Sequence, residues 1–128
     1  MSRLVLIAAA GALGTLARYA VTAWAVGRFG PAFPFGTIIV NVVGCFVIAL
    51  VMHTALAHAW PATLRLTLVV GLLGGFTTYS SFNYDTMRLV EDGAVTTAFA
   101  NMAVTLAGGL IAGWFGLLVG RMLIPGVH

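Results

Sequence analysis

Four apolar runs, at residues 4–26, 35–57, 64–84 and 94–119, take up almost all of a 128-residue chain and leave only short turns between them. Each is about the length, ~20 residues, that an α-helix needs to cross the hydrocarbon core of a bilayer. In that solvent a backbone must satisfy its own hydrogen bonds, so each run has to be helical. The chain therefore reads as an all-α membrane protein, a single four-helix transmembrane domain over residues 1–128, with no length left for a water-soluble domain. Composition points the same way: 61% of residues are hydrophobic and 7% charged, and the mean hydropathy is +1.07.

The turns carry their own signals. "GRFGPAFPFG" (27–36) and "HAWPAT" (58–63) break helices with proline and glycine, and "EDG" (91–93) closes the third run. Small residues at helical spacing, Ala8, Gly11, Gly14 and Ala17 in the first run and Gly109, Gly113, Gly116 and Gly120 in the fourth, predict faces where helices pack closely. The single cysteine, Cys45, sits in an apolar run and reads as a small buried side chain.

Six arginines and no lysine give the net charge of +3. They are too few and too scattered for a nucleic-acid surface, and they serve as markers of orientation instead. Arg3, Arg65 and Arg121 fall on one side of the membrane, Arg28 and Arg88 on the other. So near a tie leaves two outcomes. Either one arginine decides a single orientation, or the chain inserts both ways and pairs with its inverted copy as a dual-topology antiparallel homodimer, which is the expectation adopted.

The third run holds the stretch that an ordinary spanning helix does not explain: "GLLGGFTTYSSF" (71–82), two glycines followed by five hydroxyl side chains. Paired glycines predict a third helix broken at its centre, tolerable at membrane depth only where protein, water or an ion satisfies the freed backbone. Other polar groups cluster at similar depth. At ~1.5 Å rise per residue, Arg18 lies roughly 12 Å and Asn41 roughly 9 Å from the face holding the first loop. Asn101 is in the same half of the fourth run, with Thr105 one turn deeper on the same helix face. A single copy would thus supply a polar column reaching partway across, and an inverted copy the remainder.

Amides, hydroxyls and a guanidinium donate hydrogen bonds, and the edges of Tyr79 and Phe82 carry the positive part of the aromatic quadrupole, so the column suits an anion. Each group also has a plainer use. A membrane serine or threonine often bonds its own i−4 carbonyl, Asn41 can bridge helices, Tyr79 and Phe82 can simply pack, and Arg18 can reach for the interface or a partner. His53 and His58 have no acidic or cysteine neighbour at ligand spacing. No nucleophile–base pair or phosphate loop is present, so an enzyme is not expected.

Four segments, "ARY" (17–19), "FPFGTIIVN" (33–41), "GLLGGFTTYSSF" (71–82) and "LVEDG" (89–93), together resemble the Fluc family of bacterial fluoride channels, also called CrcB. The resemblance covers essentially the whole chain. It implies a multi-pass protein of the bacterial inner membrane, an antiparallel homodimer with two pores, passive export of cytoplasmic fluoride giving fluoride resistance, and a structural sodium ion at the dimer centre. By the same resemblance Asn41, Tyr79, Phe82, Thr78, Asn101, Thr105 and Arg18 line or serve the fluoride path, and the backbone carbonyls of Gly74 and Thr77 hold the sodium. Tyr79 stands where the family usually has phenylalanine, and Gly109 where it can have serine. The rival readings are a small dual-topology multidrug exporter, which would need an intramembrane carboxylate, and a structural subunit of a larger membrane complex.

Overall fold

A computed structural model of the chain describes residues 2–124, and those residues contain helices and turns but no strand. Helix α1 (Arg3–Phe29) is capped by Ser2, whose hydroxyl accepts from the Val5 amide, and ends at Gly30, where φ of 80° suits a residue without a side chain. Pro34 precedes α2 (Phe35–Ala57). Pro61 precedes the third span, which is assembled from pieces: α3 (Ala62–Leu66), a π-helical segment Thr67–Leu73, one short turn α4 (Gly74–Phe76), and, after an interruption, α5 (Tyr79–Glu91). Helix α6 (Val95–Leu123) follows the turn at Gly93, whose φ is 77°.

Four helical stretches, Arg3–Phe29, Phe35–Ala57, Ala62–Glu91 and Val95–Leu123, are long and apolar enough to cross a membrane. The third continues past residue 84 to Glu91 because its last part is an amphipathic helix, less apolar than the rest but without a helix breaker until Asp92–Gly93. Asp85, the first residue past the apolar run, consequently lies within α5.

Large side chains such as Leu4, Leu13, Leu110 and Met122 point outward, as they must when the surrounding solvent is lipid. Between the helices the contacts are made by small residues. Helix α1 lies against the first half of the third span at Gly11 and Gly14, facing Gly71 and Gly75. A Cβ placed on Gly14 would run into the Leu72 carbonyl oxygen and come within 2.9 Å of the Phe76 amide. One placed on Gly75 would meet the Gly11 carbonyl oxygen and lie 3.1 Å from the Thr15 amide. Helix α2 packs on α6, with Gly116 against the Phe46 carbonyl and Gly120 against the His53 ring. Within each of these two pairs, glycine lets one helix approach the backbone of the other.

Candidate functional site

The interruption of the third span falls on two threonines. Thr77 (φ −89°, ψ 158°) and Thr78 (φ −154°, ψ 112°) are extended, whereas Gly74 is helical at φ −63°, ψ −35°. The expectation that Gly74 and Gly75 supply the break is therefore corrected. Gly75 is there because α1 comes too close for a side chain, a use of glycine that leaves the same mark in a sequence as a helix breaker.

What holds the chain open at this point is the Asn41 amide on α2. Its Oδ1 accepts from the Thr78 amide at 2.8 Å, and its Nδ2 donates to the Thr78 carbonyl at 2.9 Å. One side chain thus satisfies both polar groups of an extended residue, as a neighbouring strand would. Thr78 in turn caps α5: its Oγ1 accepts from the Ser81 amide at 3.1 Å and donates to Ser81 Oγ at 3.0 Å. Both amides are diverted from helical use. The Thr78 amide would otherwise bond the Gly74 carbonyl, and the Ser81 amide the Thr77 carbonyl, so these two carbonyls lose their i+4 donors. The Gly75 carbonyl is bonded instead by Arg18, whose Nε donates to it at 2.9 Å.

The run of five hydroxyls therefore divides by task. Thr77 Oγ1 donates back to the Leu73 carbonyl at 2.9 Å, Thr78 caps the helix with Ser81, and Ser80 and Tyr79 are exposed. Tyr79, with 79% of its surface exposed, projects from the bundle beside the half-buried Phe82, ring centroids 5.7 Å apart at 56°.

On this side of the break an open groove of about 670 Å³ runs between α2, the third span and α6. Asn41, Thr77, Thr78, Tyr79, Phe82 and Thr105 supply its polar and aromatic lining, and Gly74 is also at its edge. Aliphatic residues complete the wall, and no charged side chain is among the lining residues. Of the residues singled out in the sequence, five of the seven assigned to the fluoride path are thus brought together. Two are elsewhere. Arg18 is at the contact of α1 with the break, where it holds a backbone oxygen. Asn101 is fully buried behind the wall, donating through Nδ2 to Thr86 Oγ1 at 2.9 Å while its Oδ1 accepts from Thr105 Oγ1 at 3.4 Å.

A second, smaller cavity of about 200 Å³ opens toward the first loop, lined by Thr22, Thr37, Asp85 and Arg88 among others. Within it Thr37 Oγ1 donates to Asp85 Oδ2 at 2.7 Å, and Arg88 Nη2 reaches the Pro31 carbonyl at 3.4 Å. Thr37 is a polar residue of this cavity that the candidate set did not include. Its signal was its position one helical turn before Asn41, on the same face of α2.

A four-span bundle with a broken third helix, and beside the break a groove offering amide, hydroxyl and aromatic groups but no charged side chain, defines a small integral membrane protein with a polar groove at the depth of the break. The chain belongs to the CrcB family: the family model described as "CrcB-like protein, Camphor Resistance (CrcB)" matches residues 5–117. It is similar to the "Fluoride-specific ion channel FluC" of Anaeromyxobacter sp. (strain K), 49% identical over 124 residues that cover 96% of this chain and 98% of the relative. The protein of the same name from Sorangium cellulosum (strain So ce56) is 46% identical over 127 residues, 98% of this chain and all of the relative. That of Geobacter sp. (strain M21) is 45% identical over 124 residues, 96% of this chain and all of the relative.

Proposed function

We propose that this chain is a fluoride-selective ion channel of the bacterial inner membrane that lets cytoplasmic fluoride leave passively, down its electrochemical gradient, and so gives fluoride resistance. The observation that carries the reading is the uncharged groove beside the broken span, with Asn41, Thr105 and the Tyr79–Phe82 ring pair along one wall system. It is supported by near full-length relatives named for that activity. A bare small anion is costly to place in a medium of low dielectric constant, and closely spaced donors replace its hydration. A narrow path of such donors favours the smaller halide. An exporter of cationic drugs needs an intramembrane carboxylate in its binding site. Asp85 lies outside the groove lining and is bonded to Thr37. Passive conduction asks for no covalent chemistry, so the protein is not an enzyme in this reading.

The working unit is taken to be an antiparallel homodimer of inverted copies. The groove is open along its length, and Tyr79 and Gly74 stand exposed on that face at the depth of the break, which supports a second copy as the missing wall. The donor set also fits a structural sodium ion. Hard cations take oxygen ligands, and the Gly74 and Thr77 carbonyls are among those that lose their helical donors at the break, Gly74 being exposed with the Val69 carbonyl oxygen 3.7 Å from where a Cβ would stand. These two carbonyls would hold the ion together with their counterparts from the inverted copy. Bound there, it would contribute a fixed positive charge where the copies meet.

The test is anion efflux from liposomes containing only the purified protein, followed with a fluoride electrode, with chloride as the control and a potassium ionophore to set the voltage. Fluoride release that depends on the ionophore, without chloride release, is the expected result. Silence for both anions from folded protein removes the reading. In the same assay Phe82→Ile exchanges a ring edge for an aliphatic side chain, and fluoride flux is expected to fall about tenfold, the size of one lost aromatic-edge interaction. Unchanged flux would take Phe82 out of the path.

A further inference from the structure

Asn101 and Thr86 are buried side chains that touch neither the groove nor the lipid, at 0% and 2% exposure, yet they form a continuous chain of hydrogen bonds with a residue of the groove wall. Thr105 Oγ1 approaches Asn101 Oδ1 at 3.4 Å, Asn101 Nδ2 approaches Thr86 Oγ1 at 2.9 Å, and Thr86 Oγ1 approaches the Phe82 carbonyl at 2.7 Å. The direction of every bond follows from the last acceptor. A carbonyl cannot donate, so the Thr86 proton lies on the Phe82 side and the Thr86 oxygen can only accept from Asn101. The amide must therefore turn its nitrogen to Thr86 and its oxygen to Thr105. An amide oxygen cannot donate either, so the Thr105 hydroxyl gives its proton to Asn101.

That arrangement sets Thr105 apart from five threonines that are tied to their own backbone. Thr22, Thr54, Thr67, Thr77 and Thr86 each donate to the backbone carbonyl four residues earlier, at 2.7 to 2.9 Å, the habitual lock of a membrane threonine. Thr105 has instead a side-chain acceptor at 3.4 Å, a distance at which a hydrogen bond is weak.

We propose that Thr86 is a positioning residue for conduction: by fixing which end of the Asn101 amide faces Thr105, it gives the Thr105 proton a resting place that is easily left, so that the hydroxyl can turn into the groove and donate to a passing anion. Asn101 is thus the resting acceptor behind the path and not part of its surface. The inference rests on the reading of the groove as an anion path.

Thr86→Val keeps the shape and removes the hydroxyl. The Asn101 nitrogen then has no acceptor at position 86 and turns toward Thr105. The Thr105 proton falls back to the backbone carbonyl, and the groove loses a donor. Fluoride flux from liposomes is expected to fall about tenfold, the size of one neutral hydrogen bond, with half-saturation shifted to higher fluoride. Thr86→Ser is expected to restore most of it. A separate variant, Asn101→Asp, reports on polarity: the protonated carboxyl reproduces one donor and one acceptor, the ionised form offers acceptors alone. Its fluoride current is expected to fall as pH rises, a response absent from the wild type. Wild-type flux from Thr86→Val, a serine variant no better than valine, or a pH-independent Asn101→Asp current each overturns the proposal while leaving a conducting wild type as a channel. A silent wild type overturns the channel reading and this proposal with it.

Discussion

Replacing Asn41 by leucine is expected to destabilise the protein by about 4 kcal/mol, since it orphans both polar groups of Thr78, each worth roughly 1–3 kcal/mol when buried without a partner. Thr78 is 9% exposed, and its amide and carbonyl have the Asn41 side chain as partner, at 2.8 and 2.9 Å. At 1.4 kcal/mol per factor of ten, the shift is about a thousandfold in the folding equilibrium. The third span would be pushed to regain an ordinary helix through residues 77 and 78, closing the opening beside the groove. Thermal unfolding in detergent reads the stability change, and liposome flux is expected to be lost with it. Asn41→Asp is the informative companion. It retains an acceptor for the Thr78 amide and, while protonated, a donor for the Thr78 carbonyl. Its loss should therefore be smaller than that of the leucine variant at low pH, and should grow as pH rises and the carboxylate sets an oxygen against that carbonyl. Full stability in the leucine variant would show that the break is held by something other than this pair of bonds.

The second large effect is expected at the contact between α1 and the third span. Gly14→Val and Gly75→Val each place side-chain atoms where opposing backbone already stands: the Leu72 carbonyl and Phe76 amide for the first, the Gly11 carbonyl and Thr15 amide for the second. A backbone atom cannot turn aside as a flexible side chain can, so the helices must separate. Overpacking of this kind costs up to about 3 kcal/mol and occasionally more. It would also pull Arg18 from the Gly75 carbonyl, which it holds at 2.9 Å. Loss of a monodisperse peak in size exclusion and a lowered melting temperature are expected for both variants. Gly27→Val is the control, because a Cβ there meets nothing within 4 Å. If all three behaved alike, close packing would not be what Gly14 and Gly75 provide.

The helical spans were legible because membrane length and turn residues are written locally. Proline at 34 and 61 and glycine at 30 and 93 stand at element ends in the fold as they do in the sequence pattern. The interruption of the third span was legible in kind but not in place. Two glycines read as a weak point, yet they form helix here, and the helix opens at the threonines because a side chain on a different span takes both backbone bonds of Thr78. No inspection of residues 71–82 alone could find that, since half of the cause is at residue 41. Depth along a helix could be counted, but rotation about it could not. Asn101 and Thr105 share a helix face by spacing, and only the packing of α5 against α6 turns the first inward and leaves the second on the groove. Arg18 was placed at a useful depth, but its partner, a carbonyl 57 positions away in sequence, follows from the glycine contact that brings α1 alongside.

The extended pair Thr77–Thr78 also divides the electrostatics of the third span. An unbroken helix would carry its partial charges, about half an elementary charge at each end, to the two membrane faces, where water screens them. Interrupted here, the span becomes two stacked dipoles with opposite poles meeting inside the protein. The amides at the start of α5, around Tyr79 and Ser80, form a positive pole, and the carbonyls from Gly74 to Thr77 a negative one. The two poles sit a few residues apart, unscreened by bulk water. With Arg18 already holding the Gly75 carbonyl, the region presents one pole suited to an anion and another suited to a cation, both set by the backbone and unchanged with pH.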